Sequence, residues 1–103
     1  MAAGRWGELT LSEQLSHIGG EVSRALNWRA KHNEAYCLSA AERALELTDL
    51  TLAHARGFSK LKELARMREC LVDYFFGINE YGQSDQAWRR YFRPFDFAAR
   101  KHL

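Results

Sequence analysis

Apolar residues recur three or four positions apart along four segments of the 103-residue chain. These segments cover about residues 11–32, 34–55 and 59–76, with a last one that begins at Ser84 or Asp85. No segment shows the two-residue alternation that is typical of a β-strand. Because the helices are long and the connections short, the pattern predicts an all-α fold, an up-down antiparallel four-helix bundle.

Cap and stop residues support these boundaries. Thr10 followed by Glu13 fits a capping box at the start of the first helix. Asn33 is suited to a cap or joint before the second helix, and Gly57 to the left-handed position after it. Ser59 is predicted to cap the third helix.

The last helix contains Pro94, which removes a backbone donor and clashes one turn back, so this helix is predicted to be kinked or split there. Its inner face is aromatic, with Trp88, Tyr91, Phe92 and Phe95. These rings exceed what a small bundle core easily absorbs. We therefore expect a homodimer that covers the surplus surface.

Residues 1–9 form a short N-terminal arm on a single helical-bundle domain that spans residues 1–103. Trp6 either docks this arm on the bundle or leaves it free. Within the first helix, Gly19 and Gly20 each cost about 1 kcal/mol relative to alanine. They indicate a close helix–helix approach, with a ligand cleft as the alternative.

The composition is that of a globular domain, with 47% hydrophobic residues, and the net charge of +2 is too small to predict a polyanion partner. Basic residues are denser near the C-terminus, at Arg89, Arg90, Arg93, Arg100 and Lys101. We favour a solvated helix face there over a patch for RNA or another nucleic acid.

Cys37 and Cys70 lie inside helical patterns and have no partner motif, which favours buried thiols in a reducing compartment. The chain also has no run of about 18 apolar residues. The sequence therefore predicts a soluble cytoplasmic protein without a membrane segment, and it suggests no cofactor.

Arg68 is the strongest functional lead, because at 100° per residue it falls between Ala65 and Val72, near the centre of the apolar stripe of the third helix. A buried guanidinium needs a partner. Asp73 lies more than 100° away around the same helix and is a poor one. Better candidates are Glu21, Glu42, Glu46 and Asp49. We favour a structural buried ion pair, with a pocket or dimer cleft lined by Arg68 as the alternative.

A second polar group, His17, Glu21 and Arg24, shares one flank of the first helix with Trp28. The four-residue spacing of His17 and Glu21 could begin a metal site, but no matching pair occurs on another helix. An ordinary contact on a solvated or dimer-facing flank is the favoured interpretation. No metal site is predicted.

The stretch "MRECLVDYFFGINEYG" resembles the signature region of the HEPN superfamily. The resemblance implies a small helical bundle that is often dimeric, with an arginine and a histidine lining an RNA-cleaving cleft between two subunits. Arg68 matches that arginine, and Tyr74 and Gly77 suit the positions that follow, but Asp73 stands where the histidine would be. Aspartate supplies no proton at neutral pH unless its pKa is strongly raised, and it repels phosphate.

The combined expectation is a non-catalytic helical-bundle protein that binds another protein or a small ligand as a homodimer. The alternative is a divergent HEPN-type nuclease or nucleotide-binding domain that uses Arg68. A third possibility is an accessory subunit, with a protein partner encoded in an adjacent gene, such as a small nucleotidyltransferase.

Overall fold

The computed structural model describes residues 3–100. Lys101, predicted as part of the basic group, lies outside the described residues. The helices are α1 (Ala3–Trp6), α2 (Leu11–Ala30), α3 (Glu34–His54), α4 (Phe58–Phe76) and α5 (Asp85–Arg100). The four long ones form the predicted all-α four-helix bundle. No helix in this part of the chain is both long and apolar enough to cross a membrane.

Helix α2 is central, because α3 packs on one side of it and α5 on another, while α4 packs on α3. The core is formed by the apolar faces of these four helices. Its larger members are Leu15, Ile18, Val22, Leu26, Leu64, Met67, Leu71, Phe75, Trp88 and Phe92. The backbones of α4 and α5 come less close than those of the other neighbouring helices, so the bundle is loosest along this seam.

Local signals fix most helix ends. The capping box is confirmed, since Thr10 Oγ1 accepts from Glu13 N at 3.1 Å and Glu13 Oε1 accepts from Thr10 N at 2.8 Å. Asn33 Oδ1 caps α3 by accepting from Tyr36 N at 3.1 Å. Helix α2 ends at Ala30, slightly earlier than predicted, because His32 adopts a left-handed φ of 61°.

The predicted cap at Ser59 is wrong. Helix α4 already begins at Phe58, and Gly57 occupies the cap position with a φ of 98° and no side-chain hydrogen bond. Gly57 does supply the predicted left-handed turn after α3, and this turn leads directly into α4. The serine therefore falls inside the first turn of the helix rather than before it.

The N-terminal arm is docked. Trp6 is only 2% exposed, and its Nε1 donates to Thr51 Oγ1 at 2.9 Å. Gln14 Nε2 donates to the Trp6 carbonyl at 2.8 Å. Gly7 lies so close to the end of α3 that a Cβ there would be 2.8 Å from His54 Nδ1. Both the ring and the backbone of the arm are thus held against the bundle.

The two adjacent glycines of α2 differ. A Cβ at Gly19 would meet the Cβ and ring of Phe92 at 2.8 Å, so this glycine permits the close approach of α2 and α5. At Gly20 nothing lies within 4 Å of an added Cβ. The predicted close approach is therefore correct for Gly19 and wrong for Gly20.

Helix α5 runs continuously from Asp85 to Arg100 with Pro94 inside it, so the helix is not split there. Pro94 has no N–H to donate to the Arg90 carbonyl one turn earlier. Both residues are exposed. The aromatic surplus expected on this helix is largely absorbed by the bundle. Trp88 and Phe92 are buried, and Tyr91 and Phe95 pack half-buried against them.

Candidate functional site

The apolar residues of α4 divide between two faces of the helix. Half of the stripe predicted from the sequence is buried, namely Leu64, Leu71 and Phe75. The other half is exposed, namely Leu61, Ala65 and Val72. Arg68 lies on the boundary between them. The prediction that Arg68 sits in the buried face is therefore wrong, because the middle of this wide apolar arc is not the direction of the core.

Arg68 binds Asp49 of α3, one of the four carboxylates named from the sequence. Its Nε lies 2.6 Å from Asp49 Oδ1, and its Nη2 lies 3.3 Å from Oδ2. The two side chains are 38% and 55% exposed. The hydrogen bond that Arg68 donates to Asp49 raises the pKa of Arg68 above its ordinary value. The pair is thus a bidentate ion pair at the surface that links α4 to α3.

We expect Arg68→Ala to lower the free energy of unfolding by less than about 1 kcal/mol, because exposed ion pairs contribute little. Arg68→Met should behave the same within about 0.5 kcal/mol. Urea denaturation of both variants measures this. A loss of about 3 kcal/mol or more, the value for a broken buried pair, would show that Asp49 and Arg68 are shielded from water in solution.

Asp73 does not contact Arg68 but organises the loop between α4 and α5. Its Oδ1 accepts from Glu80 N at 2.8 Å and its Oδ2 accepts from Tyr81 N at 3.0 Å. Its backbone carbonyl also accepts from Gly77 N at 3.1 Å. Both carboxylate oxygens are therefore engaged in holding the loop. This gives the aspartate a structural role in the loop.

The polar flank of α2 does not converge on one point. Glu21 accepts from Arg24 Nη1 at 3.3 Å and from Arg43 Nε at 3.1 Å. The ring of His17 instead lies 5.6 Å from that of Trp6. Within residues 3–100, no group of three or more His, Cys, Asp or Glu side chains is placed to hold a metal ion. The candidate residues from the sequence thus occupy four separate places.

One surface of the molecule was missed by sequence reasoning, and we call it the outer face of α4. It consists of Phe58, Leu61, Ala65, Val72 and Phe76. At 100° per residue these positions fall within an arc of about 60°. Phe58 is 80% exposed and Phe76 is 43% exposed. The sequence did contain one indication of this surface. The apolar residues of α4 cover a wider arc around the helix than a single contact with the core can bury.

The seam between α4 and α5 contains a cavity of about 320 Å³, which we call the α4–α5 cavity. It is lined by Glu63, Arg66, Met67, Cys70, Gln83, Ala87, Trp88 and Tyr91. These residues come from two helices and the loop that joins them. Only their assembly reveals the cavity, so no periodic pattern within one helix could have indicated it.

The polar groups of the α4–α5 cavity have distinct environments. Tyr91 OH donates to Glu63 Oε1 at 3.5 Å, and burial together with the nearby carboxylate raises the pKa of Tyr91 to about 12. Burial also raises the pKa of the Cys70 thiol, which therefore stays protonated at neutral pH. The Trp88 side chain is buried, and its Nε1 has no hydrogen-bond partner among the described residues.

One end of this seam is fixed by Tyr74. Its hydroxyl donates to Asp85 at the start of α5, and the Arg29 guanidinium lies 5.2 Å from the centre of its ring. Burial and the hydrogen bond to Asp85 raise the pKa of Tyr74 to about 12. The phenol is thus neutral under ordinary conditions and links the last turn of α4 to the first turn of α5.

No protein-family model, curated protein or solved structure matches this chain. The outer face of α4 and the α4–α5 cavity are therefore interpreted from their own geometry, and the resemblance to the HEPN superfamily stays a prediction.

Proposed function

We propose that this chain is a non-catalytic binding protein that acts as a homodimer through the outer face of α4. The observation that carries the proposal is that this apolar face runs along the whole helix and leaves each of its large side chains at least 36% exposed. A helix of 19 residues is about 28 Å long. An exposed apolar strip of this length is typical of an interaction surface.

The shape of the strip favours a second copy as the partner. Phe58 and Phe76 stand at opposite ends of the strip, so a two-fold axis near Met67 places each Phe58 opposite the partner's Phe76. Such an antiparallel arrangement is isologous, since the same residues meet on both sides. The apolar positions of the two helices then face each other along their length.

The charges beside the strip are also self-complementary. Lys62 lies in the first half of α4 and Glu69 in the second half, both exposed and next to the outer face. The antiparallel pair brings Lys62 to within about one helical turn of the partner's Glu69. Helix α4 has no acidic residue in its first turn and no basic residue in its last, the reverse of what its own dipole favours. An antiparallel copy places the C-terminal end of the partner's α4 beside the N-terminal end of this α4, so each helix end lies near an end of opposite dipole sign.

A non-catalytic role is supported by the contacts of the charged residues that were candidates for chemistry, because each of them is engaged in a structural interaction. Arg68 is paired with Asp49, Asp73 holds the loop, and Glu21 joins two arginines. Their separation leaves no pair positioned as nucleophile and base or as acid and base. A reducing, cytoplasmic setting belongs to the same proposal and is supported by the two buried free thiols.

We expect the parent protein to sediment as a dimer and Val72→Glu to weaken that dimer at least about 100-fold, because a carboxylate would be buried within the apolar contact. Phe97→Glu is the matched control, since Phe97 is 65% exposed but lies on α5. It should leave the dimer intact. Analytical ultracentrifugation over a concentration series measures both. A parent protein that remains monomeric at about 100 µM would overturn the proposal.

Charge reversal tests the antiparallel geometry specifically. Lys62→Glu and Glu69→Lys should each weaken the dimer, since each places like charges opposite one another. The double variant restores the opposite-charge pairs with reversed sign and should recover most of the lost affinity. Additive losses in the double variant would rule out this register, even if a dimer forms.

The nuclease alternative makes a different demand on Arg68. RNA phosphate would have to displace Asp49 from the guanidinium. Fluorescence anisotropy of a labelled single-stranded RNA measures binding by the parent and by Arg68→Ala. We expect no difference between the two. Salt-dependent binding that is lost in Arg68→Ala, with the dimer preserved, would replace the non-catalytic proposal by the nucleic-acid one.

A further inference from the structure

The α4–α5 cavity lies apart from the outer face of α4 and calls for an explanation of its own. Its volume of about 320 Å³ is at the lower end of the range of about 300–1,000 Å³ that small-molecule sites occupy. The helix backbones approach each other least closely along this seam. Space is therefore available here without breaking a tight helix–helix contact.

We propose that the α4–α5 cavity binds a small planar aromatic carboxylate. The apolar part of its wall is formed by Met67, Cys70 and Ala87 together with the rings of Trp88 and Tyr91. Thioether and thiol sulfur and aromatic rings are polarizable groups that favour the faces and edges of a flat ring system. The protonated state of Cys70 keeps this wall neutral.

The carboxylate is assigned from the two donors of the wall that the fold leaves unused. Trp88 is 4% exposed, and its Nε1 is buried without a partner among the described residues. A buried donor of this kind costs free energy until an acceptor is supplied. Arg66 lines the same cavity, is exposed, and makes no hydrogen bond or ion pair with any residue that the structure describes. A carboxylate bound to this guanidinium satisfies the indole as well once it reaches the buried Nε1.

The acidic group of the wall is already engaged, which favours an anionic ligand over a cationic one. Glu63 accepts from Tyr91 OH at 3.5 Å, and the raised pKa of this phenol keeps it a donor. Glu63 keeps its charge but already has a hydrogen-bond donor in Tyr91, whereas Arg66 has no partner among the described residues. The unpartnered charge at this cavity is therefore that of Arg66.

Binding can be measured with 2-naphthoate as the probe and ¹⁵N-labelled protein. The chain has three tryptophans, so three indole N–H cross-peaks are expected, and Trp6 provides an internal reference because its indole is hydrogen-bonded to Thr51. We expect 2-naphthoate to shift the Trp88 cross-peak in a saturable way and to leave that of Trp6 unchanged. The uncharged 2-naphthamide should bind about tenfold more weakly.

Three variants locate the probe. Arg66→Gln should weaken 2-naphthoate binding about tenfold while leaving 2-naphthamide unaffected. Ala87→Phe places a ring in the cavity while keeping both donor residues, and it should abolish the shift. Arg93→Gln is the matched control, because Arg93 lines a separate cavity of about 190 Å³ between α2 and α5 that shares Trp88 with the first. It should leave binding unchanged.

The proposal fails if the Trp88 cross-peak does not respond to millimolar 2-naphthoate, or if it responds equally in Ala87→Phe. It also fails if Arg93→Gln rather than Arg66→Gln weakens the probe, or if 2-naphthylmethylamine binds more tightly than 2-naphthoate. An unchanged Trp6 cross-peak verifies that each variant is folded. Val72→Glu should bind the probe like the parent, so this test is independent of the proposed dimer.

Discussion

Trp6→Ala should lower the free energy of unfolding by about 3–5 kcal/mol, the range found for removal of a large buried aromatic side chain. The expectation follows from the burial of the Trp6 ring and from its hydrogen bond to Thr51. The Trp6 backbone carbonyl also accepts a hydrogen bond from Gln14 Nε2, so loss of the ring should weaken this second contact between the arm and the bundle. In a domain of this size the melting temperature should fall by more than about 10 °C.

Urea denaturation of three variants separates the contributions. Trp6→Phe keeps most of the apolar surface and loses the indole N–H, which leaves Thr51 Oγ1 without this donor, so it should cost about 1–2 kcal/mol. Arg5→Ala alters an exposed residue of the same short helix and should change stability by no more than about 0.5 kcal/mol. If Trp6→Ala and Arg5→Ala were equally harmless, the arm would have to be undocked in solution.

Gly19→Ala and Gly20→Ala should move stability in opposite directions, although the residues are adjacent. Gly20 is exposed with open space around it, so alanine there should stabilise the helix by about 1 kcal/mol. Alanine at Gly19 would place its Cβ 2.8 Å from the Phe92 Cβ. That atom moves only with the backbone of α5, so the gain in helix propensity is outweighed by overpacking of about 1–3 kcal/mol.

The same denaturation assay measures this pair. The difference between the two variants is the informative quantity, because both remove one glycine from the same helix and share the effect on the unfolded chain. Gly19→Ala combined with Phe92→Gly should lose less than the sum of the single losses, since the clashing Cβ and ring are then both absent. Equal stabilisation by both glycine variants would mean that α2 and α5 are farther apart than the structure shows.

Features that depend on neighbouring residues in the chain could be predicted from the sequence. The capping box of Thr10 and Glu13 and the cap at Asn33 involve residues three positions apart, and both form as expected. The four long helices follow from the spacing of apolar residues. In each case the deciding interactions are local, and the tertiary structure only has to preserve them.

Features that depend on which way a helix faces could not be predicted in the same manner. Arg68 sits at the middle of a wide apolar arc, but the core takes only one side of that arc and leaves the other to solvent. Asp73 could be recognised as remote from Arg68, but not as the acceptor for Glu80 N and Tyr81 N across the loop. The α4–α5 cavity depends on how closely two helices approach, which no single helix encodes.

The central place of α2 has a consequence for the order in which the bundle is completed during synthesis. Helix α3 follows α2 directly along the chain and α4 follows α3, so each of these can dock on its predecessor soon after it emerges from the ribosome. The surface of α2 around Gly19 receives Phe92 instead, more than 70 residues later. That surface therefore stays uncovered until α5 has been made, so α5 is the helix that closes the core.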